Sequence, residues 1–428
     1  WQKIMVWFID LFSVIGGIRK GFELACQERN IPTECVFTSE IKPHAISVLK
    51  QNHPNEEITG DITKVCPSDI PDFEILLAGF PCQPFSSAGV RLGFEDTRGT
   101  LFFDVARIIK EKQPLGFVLE NVEGLINHNK VNPKDEIGRT LQTILNTLKE
   151  LGYSTSWKLL DASLFGIPQE RKRVYIVGTK FSAPNLDNFE TTTNTLSSIL
   201  EKGLPCHTSK FTKAVLSHYS IDEVIGEKVK DKIGGENNIH SWDIEIKGKI
   251  TKEEKALIEK ILTERRKKIW AEMYGIDWMD GMPLTLQMIS IFYKDKNLEE
   301  KLEKLTHLGY LTKEHPKRKV GSKRIQDKTL PVGYNIVAGK MSFEINEVLN
   351  PDGFAPTLVA TDMDRIFVAD NDGLRPLSLR EGLRLFGYPD DFSFDIDAKD
   401  GYDLLGNTVV VPVIKAVSGR MLDIITKK

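Results

Sequence analysis

IMVWFIDLFSVIGGIRKGFE (residues 4–23) sets an apolar run, a turn with paired glycines and an amphipathic stretch one after another. IMVWFI (4–9) is apolar at both alternating sets of positions, as a strand covered on both faces must be. DLFSVIGGIRKGFE (10–23) then reads as a strand end, a glycine turn and a helix, an arrangement whose backbone can approach a ligand closely. The pattern recurs. CVFTS (35–39), FEILLAG (73–79), GFVLE (116–120) and RVYIVG (173–178) are further short runs rich in β-branched and aromatic residues. Between the last two, Ile137, Leu141, Ile144, Leu145, Leu148 and Leu151 form one apolar stripe at helical spacing. Repeated strand–helix–strand units predict an α/β fold, doubly wound and Rossmann-like, with a mostly parallel sheet. Ligands of such sheets sit at the carboxyl ends of the strands, so the loops after the strands are the places to look.

At 428 residues the chain exceeds the usual size of one domain. The strand–helix rhythm defines a domain over 1–182. From 183 to 355 it gives way to polar, irregular sequence such as TTTNTLSSIL and GEKVKDKIGGENN, which predicts a second, smaller α+β domain. Inside it, 252–274 reads as a charged helix, and two short helices followed by a two-stranded element suggest a winged-helix-like piece at about 284–338. Residues 356–428 are patterned again and are expected to complete the first domain.

The composition, 41% hydrophobic and 27% charged, is that of a globular protein, and the net charge of −3 announces no polyanionic partner. Nucleic-acid binding would have to come from local patches, and KEHPKRKVGSKRIQDK (313–328) is one, with seven basic residues against two acidic; ERRKK (264–268) is another. The five cysteines lack C-x-x-C or metal-like spacing, so no metal is expected, and with no secretory start or long apolar span the chain reads as cytoplasmic with no membrane partner. Cys26, Cys35, Cys66 and Cys206 read as small buried hydrophobes.

Cys82 differs because of its neighbours. GFPCQPFSSAG (79–89) puts it between two prolines at a strand end, a stiff turn able to fix a thiol in one orientation. The next strand ends in LENV (119–122), carrying Glu120 and Asn121 to the same rim, and QERKR (169–173) sets Arg171 and Arg173 two apart, hence on one face of a strand. Glu40 and Asp61 follow earlier strands, where carboxylates can accept hydrogen bonds from ribose hydroxyls and an adenine amino group. SSAGVRLGFEDTRGT (86–100) carries Gly89, Gly93 and Gly99 with Arg91 and Arg98.

GFPCQPFSSAG, LENV, QERKR, RPLSLREGLRLFGYPDDF (375–392) and GNTVVVPV (406–413) together resemble the ordered motifs of the cytosine-C5 DNA methyltransferases, particularly bacterial modification enzymes. The resemblance covers roughly the first 180 and last 70 residues. It implies that Cys82 attacks cytosine C6, that Glu120 donates a proton to N3, that Arg173 holds O2 and that Arg171 supports the loop or a phosphate. S-adenosylmethionine, leaving as S-adenosylhomocysteine, would be held by Phe12, Gly16, Gly17, Glu40, Asp61, Pro81, Asn407 and Val409. The base must leave the duplex to be reached, and the resemblance implies that 86–100 closes over it as a mobile loop, with Ser86, Arg91 and Arg98 on the DNA. The middle domain would then read the DNA sequence, with Lys317, Arg318 and Lys319 on phosphates. A monomer acting on double-stranded DNA, nucleoid-associated and paired with a restriction endonuclease, is the expectation. A tRNA cytosine-5 methyltransferase is the alternative, and so is a DNA-binding protein with impaired catalysis. The last arises because Val14 stands where relatives carry glycine, at a cost of about 1–3 kcal/mol if the backbone is left-handed there.

Overall fold

The computed structural model describes residues 5–81, 101–231, 237–277, 281–320, 323–337 and 343–427. The chain forms two compact units, the first made of Trp1–Glu201, Pro351–Asp364 and Leu377–Lys428, the second of Lys202–Asn350 and Arg365–Pro376. The first break thus falls after Glu201 and not at 182/183, and a short late stretch joins the second unit.

The first unit is built on seven strands: β1 (Val6–Leu11), β2 (Thr33–Ser39), β3 (Ile58–Thr59), β4 (Ile75–Ala78), β5 (Gly116–Val122), β6 (Ser154–Asp161) and β7 (Lys172–Thr179). They lie in the order β3-β2-β1-β4-β5-β7-β6. The first five run parallel, while β7 is antiparallel to both β5 and β6. Helices α1 (Gly17–Glu28), α2 (Pro43–Asn52), α3 (Leu101–Lys112) and α4 (Arg139–Glu150) alternate with the strands. Ile75, Leu76, Leu77 and Ala78 are wholly buried, which is why β4 carries no polar alternation. The sheet is mixed at one edge because β6 enters as an antiparallel neighbour of β7. Its sequence, STSWKLLD, is mostly half-buried and shows no apolar run, so nothing in it announces a strand.

Winding reverses between β1 and β4. To one side of β1 lie β2 and β3, to the other β4 and β5, so the crevice at the carboxyl ends of β1 and β4 is the topological switch point where open α/β sheets take ligands. The C-terminal helix Val411–Ile425 is tied to the end of α1 by the Arg29–Asp423 ion pair at 2.9 Å, so the last residues belong to the first unit.

The second unit holds a five-stranded sheet in the order Gly373–Pro376, Ile366–Asp370, Glu347–Val348, Lys228–Val229, Asn238–Ile239. It also holds α5 (Lys252–Glu264), α6 (Leu286–Phe292), α7 (Leu298–His307), β8 (Leu311–Glu314), β9 (Lys317–Val320), β10 (Lys323–Gln326) and β11 (Gly333–Ile336). The charged helix expected over 252–274 is two pieces, Lys252–Glu264 and Lys268–Glu272. Leu257, Ile261, Met288, Leu302, Leu305 and Ile336 form a separate core beneath these helices.

The cysteine reading needs correction. Cys26 is buried and Cys35 half-buried, but Cys66 and Cys206 are exposed. Cys66 caps a short turn and hydrogen-bonds Ser68 Oγ at 3.0 Å, and Cys206 donates to the Asp370 carbonyl; each sits outside a packed face. No helix among the described residues is long and apolar enough to cross a membrane.

Candidate active site and cofactor pocket

The crevice at the switch point is a cavity of about 310 Å³. Its walls come from the loops after β1, β2, β3 and β4, from the carboxyl end of β5, from the start of α3, from Arg171 and Arg173, and from Gly406 and Asn407. After β1 the backbone turns sharply. Phe12 and Val14 take φ of 57° and 51°, and Gly16 takes 78°, so three left-handed residues lie in one five-residue loop. Only glycine adopts this conformation without strain, and Val14, being β-branched, is the costliest of the three. What holds it is Glu40: the Val14 N–H donates to Glu40 Oε2 at 2.8 Å, while Oε1 accepts from the Ile41 and Lys42 N–H groups at 2.8 Å each. One carboxylate thereby fixes the ends of β1 and β2 against each other.

Gly17 is needed for a different reason. A Cβ there would stand 2.5 Å from Tyr388 Oη, 2.8 Å from Val409 and 2.9 Å from Thr408 Oγ1. Tyr388 and Thr408 share a buried hydrogen bond of 2.7 Å, so FGYP and GNTV together form the floor under the glycine turn. Gly16, Gly17 and Val409 shape that floor and do not line the cavity, whereas Phe12, Glu40, Asp61, Pro81 and Asn407 do. Asp61 caps the turn after β3, accepting from the Thr63 N–H and Oγ1 through one oxygen. Asn407 is held by Asp403, which also binds Lys42 and His44 at 2.7 and 3.0 Å, closing the cavity edge between α2 and the helix Ala398–Asn407.

Beside this ligand space lies the Glu120 wall. Glu120 is buried at the end of β5, and loss of hydration pushes its carboxyl above the ordinary range; Arg173, then Arg171, pull the other way. Arg173 Nε stands 3.3 Å from Glu120 Oε1, two residues diagonally across the β5–β7 pair. Asn121 is also buried, and its Nδ2 donates to the Phe80 carbonyl at 2.8 Å. That bond anchors the backbone immediately before Pro81, a role carried by a residue the sequence places only on the rim.

Arg171 and Arg173 both line the cavity but make different contacts. β7 begins at Lys172, so Arg171 lies before the strand, where the alternation rule does not apply. Its guanidinium donates to the Leu358, Gly406 and Thr408 carbonyls at 2.7, 3.2 and 2.9 Å and stacks 5.0 Å from the Phe386 ring. Burial pushes its pKa down to about 9, with Arg173 adding repulsion. A fork committed to three carbonyls supports a loop and is not presented to a phosphate.

Cys82, Ser86, Arg91 and Arg98 lie outside the described residues. In the second unit, Lys317 pairs with Glu314 at 3.0 Å, and Arg318 binds Asp327 and donates to the Tyr274 and Gly275 carbonyls. Of the three cations expected on phosphates, only Lys319 has no such partner among the described residues. Nothing in the sequence near 317–319 announces those bonds, since Tyr274 and Gly275 lie more than forty positions away.

The chain matches the C-5 cytosine-specific DNA methylase family over residues 6–423. It is 63% identical over 416 residues to the type II methyltransferase M.NlaIV of Neisseria lactamica, and 62% identical over 416 residues to M.NgoBV of Neisseria gonorrhoeae; each match spans 97% of this chain and 98% of the relative. The crystal structure of the S. pombe Dnmt2 methyltransferase has the same fold, with a TM-score of 0.54 at 15% identity, covering 99% of this chain and 100% of that one. A match that runs through both units and every wall of the cavity leaves one assignment: this chain belongs to the C-5 cytosine-specific DNA methylases, enzymes that place a methyl group on C5 of cytosine in DNA.

Proposed function

We propose that the chain is the modification enzyme of a type II restriction–modification system, as the names of its relatives suggest, and that the cavity rim carries the chemistry in named roles. Cytosine C5 is too poor a nucleophile to take a methyl group unaided. Cys82 adds through sulfur to C6 of a flipped-out base, and electron density moves through the ring toward N3. Glu120, whose burial favours the protonated form, donates to N3 as that density arrives. Arg173 stands beside it for O2, and Asn121 holds the backbone that leads into Cys82. Arg171 is a positioning residue, since its bonds go to backbone and not toward the cavity.

The residues lining the cavity suit S-adenosylmethionine. Phe12, Ile41, Ile62 and Leu101 offer apolar surface for a purine, and Glu40 and Asp61 offer acceptors at the ends of β2 and β3. When bound, S-adenosylmethionine supplies an electrophilic methyl group. Loss of the C5 proton and release of Cys82 then restore the ring.

The second unit is read as the target-recognition domain, and the chain as a nucleoid-associated cytoplasmic monomer that works alongside a cognate endonuclease. The single observation that carries the catalytic reading is the buried Glu120 carboxyl, beside Arg173 and in the wall of the cavity that Glu40 and Phe12 also line. Labelled-methyl transfer to duplex DNA and to tRNA, followed by bisulfite sequencing of the DNA, tests it. Label on duplex cytosines in a shared flanking sequence is expected. Label on tRNA alone, or no turnover, would overturn the reading, the latter in favour of a catalytically impaired chain strained at Val14.

A further inference from the structure

The order α5, α6, α7, β8, hairpin, β11 is that of a winged helix. Leu284 supplies the first short strand, exchanging backbone hydrogen bonds of 2.9 and 2.8 Å with Tyr334 of β11, and β8 pairs antiparallel with β11 on the other side. In such modules the third helix commonly enters the major groove. Here that helix, α7, is poorly suited to a polyanion. It carries Glu299, Glu300 and Glu303, and its two lysines are engaged, Lys301 with Asp295 at 2.6 Å and Lys304 with Glu254 at 2.8 Å.

The wing is the opposite. β9 and β10, residues 317–326, read KRKVGSKRIQ, with five basic residues and no acidic one. Lys319 lies directly across from Arg324, and Lys323 across from Val320. Like charges directly opposite each other on a two-stranded ribbon are destabilising unless an anion lies between them. Among the described residues, the side chains of Lys319, Lys323 and Arg324 make no hydrogen bond or ion pair, and all three residues are exposed. One carboxylate, Asp277, lines the same groove as Lys319 and Arg324 without pairing to either. On the opposite face, which Lys323 shares, Val320 and Ile325 are 59% and 52% exposed. Its base is nevertheless pinned, because Arg318 reaches Asp327 and the Tyr274 and Gly275 carbonyls. A two-stranded hairpin fixed at its root but with these side chains exposed is marginal alone, so its concentrated charge calls for a partner.

We propose that this module meets duplex DNA through the wing, with Lys319, Lys323 and Arg324 on backbone phosphates, and not through α7. The proposal rests on the reading of the second unit as the DNA-facing domain. Its test is the salt dependence of binding to a short random-sequence duplex, which reports phosphate contacts without knowledge of the target. Each phosphate contact contributes about 0.9 to the slope of log K against log salt, so Lys319→Gln/Lys323→Gln/Arg324→Gln should flatten the slope by roughly 2–3 and weaken binding roughly a hundredfold at low salt. Lys301→Gln/Lys304→Gln in α7 should leave the slope as in the native chain. Circular dichroism melting of each variant keeps a folding defect apart from a lost contact, and because the wing side chains are exposed, the single variant Arg324→Gln, with a slope change near 1, provides a milder form of the same test. A wing variant with the native slope, or an α7 variant that flattens it as much, would overturn the proposal. A native chain that fails to bind or methylate duplex DNA would instead overturn the reading beneath it.

Discussion

Asp10 and Glu120 are carboxyl groups that burial holds above the ordinary range, and each leaves a measurable trace. Asp10, at the end of β1, is wholly buried, and desolvation outweighs the opposing field of Arg19 and the Ser13 hydroxyl to push it up to about 7. A group raised in this way stabilises the fold fully below its unfolded value, near 3.8, and loses that contribution as pH climbs through the folded value near 7. The loss is on the order of 4 kcal/mol for a shift of this size. Asp10→Asn cannot ionise, so urea denaturation at mildly acid and mildly alkaline pH should show the native chain losing stability as pH rises while the variant stays flatter; equal slopes would remove Asp10 from this account. Glu120 gives the matching kinetic signature. Its raised pKa keeps the proton needed at N3 to higher pH than an ordinary glutamate would, so turnover should fall as pH rises through that value. Glu120→Gln should lower kcat by roughly 10²–10⁴-fold and abolish this limb, which a pH–rate profile would reveal.

The Arg171 strut shows how much the elements depend on partners distant in sequence. Removing it by Arg171→Ala leaves three backbone carbonyls without their donor at the junction of the β7 entry, Leu358 and the GNTV segment. At about 1–3 kcal/mol for each polar group left buried and unpaired, a loss of at least about 3 kcal/mol is expected in denaturant unfolding. Arg171→Lys should recover only part of it, because one ammonium cannot reproduce a planar fork. A variant of native stability would contradict the strut. This bond network also marks where the sequence stops being readable. β1, β2, β4, β5 and β7 are legible because they carry apolar, β-branched runs, buried on both faces in β4 and β5, and the carboxylates Glu40 and Glu120 are legible because they end such runs. β6 is hidden because it shows no apolar run, and the Arg171 strut is hidden because its partners, Leu358, Gly406 and Thr408, lie far away in sequence. Val14 lies between these cases: its type signals strain, and its φ of 51° locates it, but the Glu40 bond that holds it is not written in the local sequence.

At the scale of the whole molecule, chemistry and DNA contact are assigned to different units. The first unit gathers Glu120, Arg173, Glu40 and the Pro81 turn around one cavity at the switch point. The second has its own core and carries the basic hairpin. Everything in the catalytic account converges on a covalent bond between the Cys82 sulfur and cytosine C6, and that bond can be trapped. In 5-fluorocytosine the C5 substituent cannot leave as a proton, so the cysteine cannot be released after methyl transfer. A random-sequence duplex library carrying 5-fluorocytosine, incubated with the chain and S-adenosylmethionine, should yield a denaturation-resistant protein–DNA adduct whose peptide map places the link at Cys82, and Cys82→Ser should yield none. A native chain that methylates ordinary duplex DNA yet forms no adduct, or an adduct that persists in Cys82→Ser, would contradict the account.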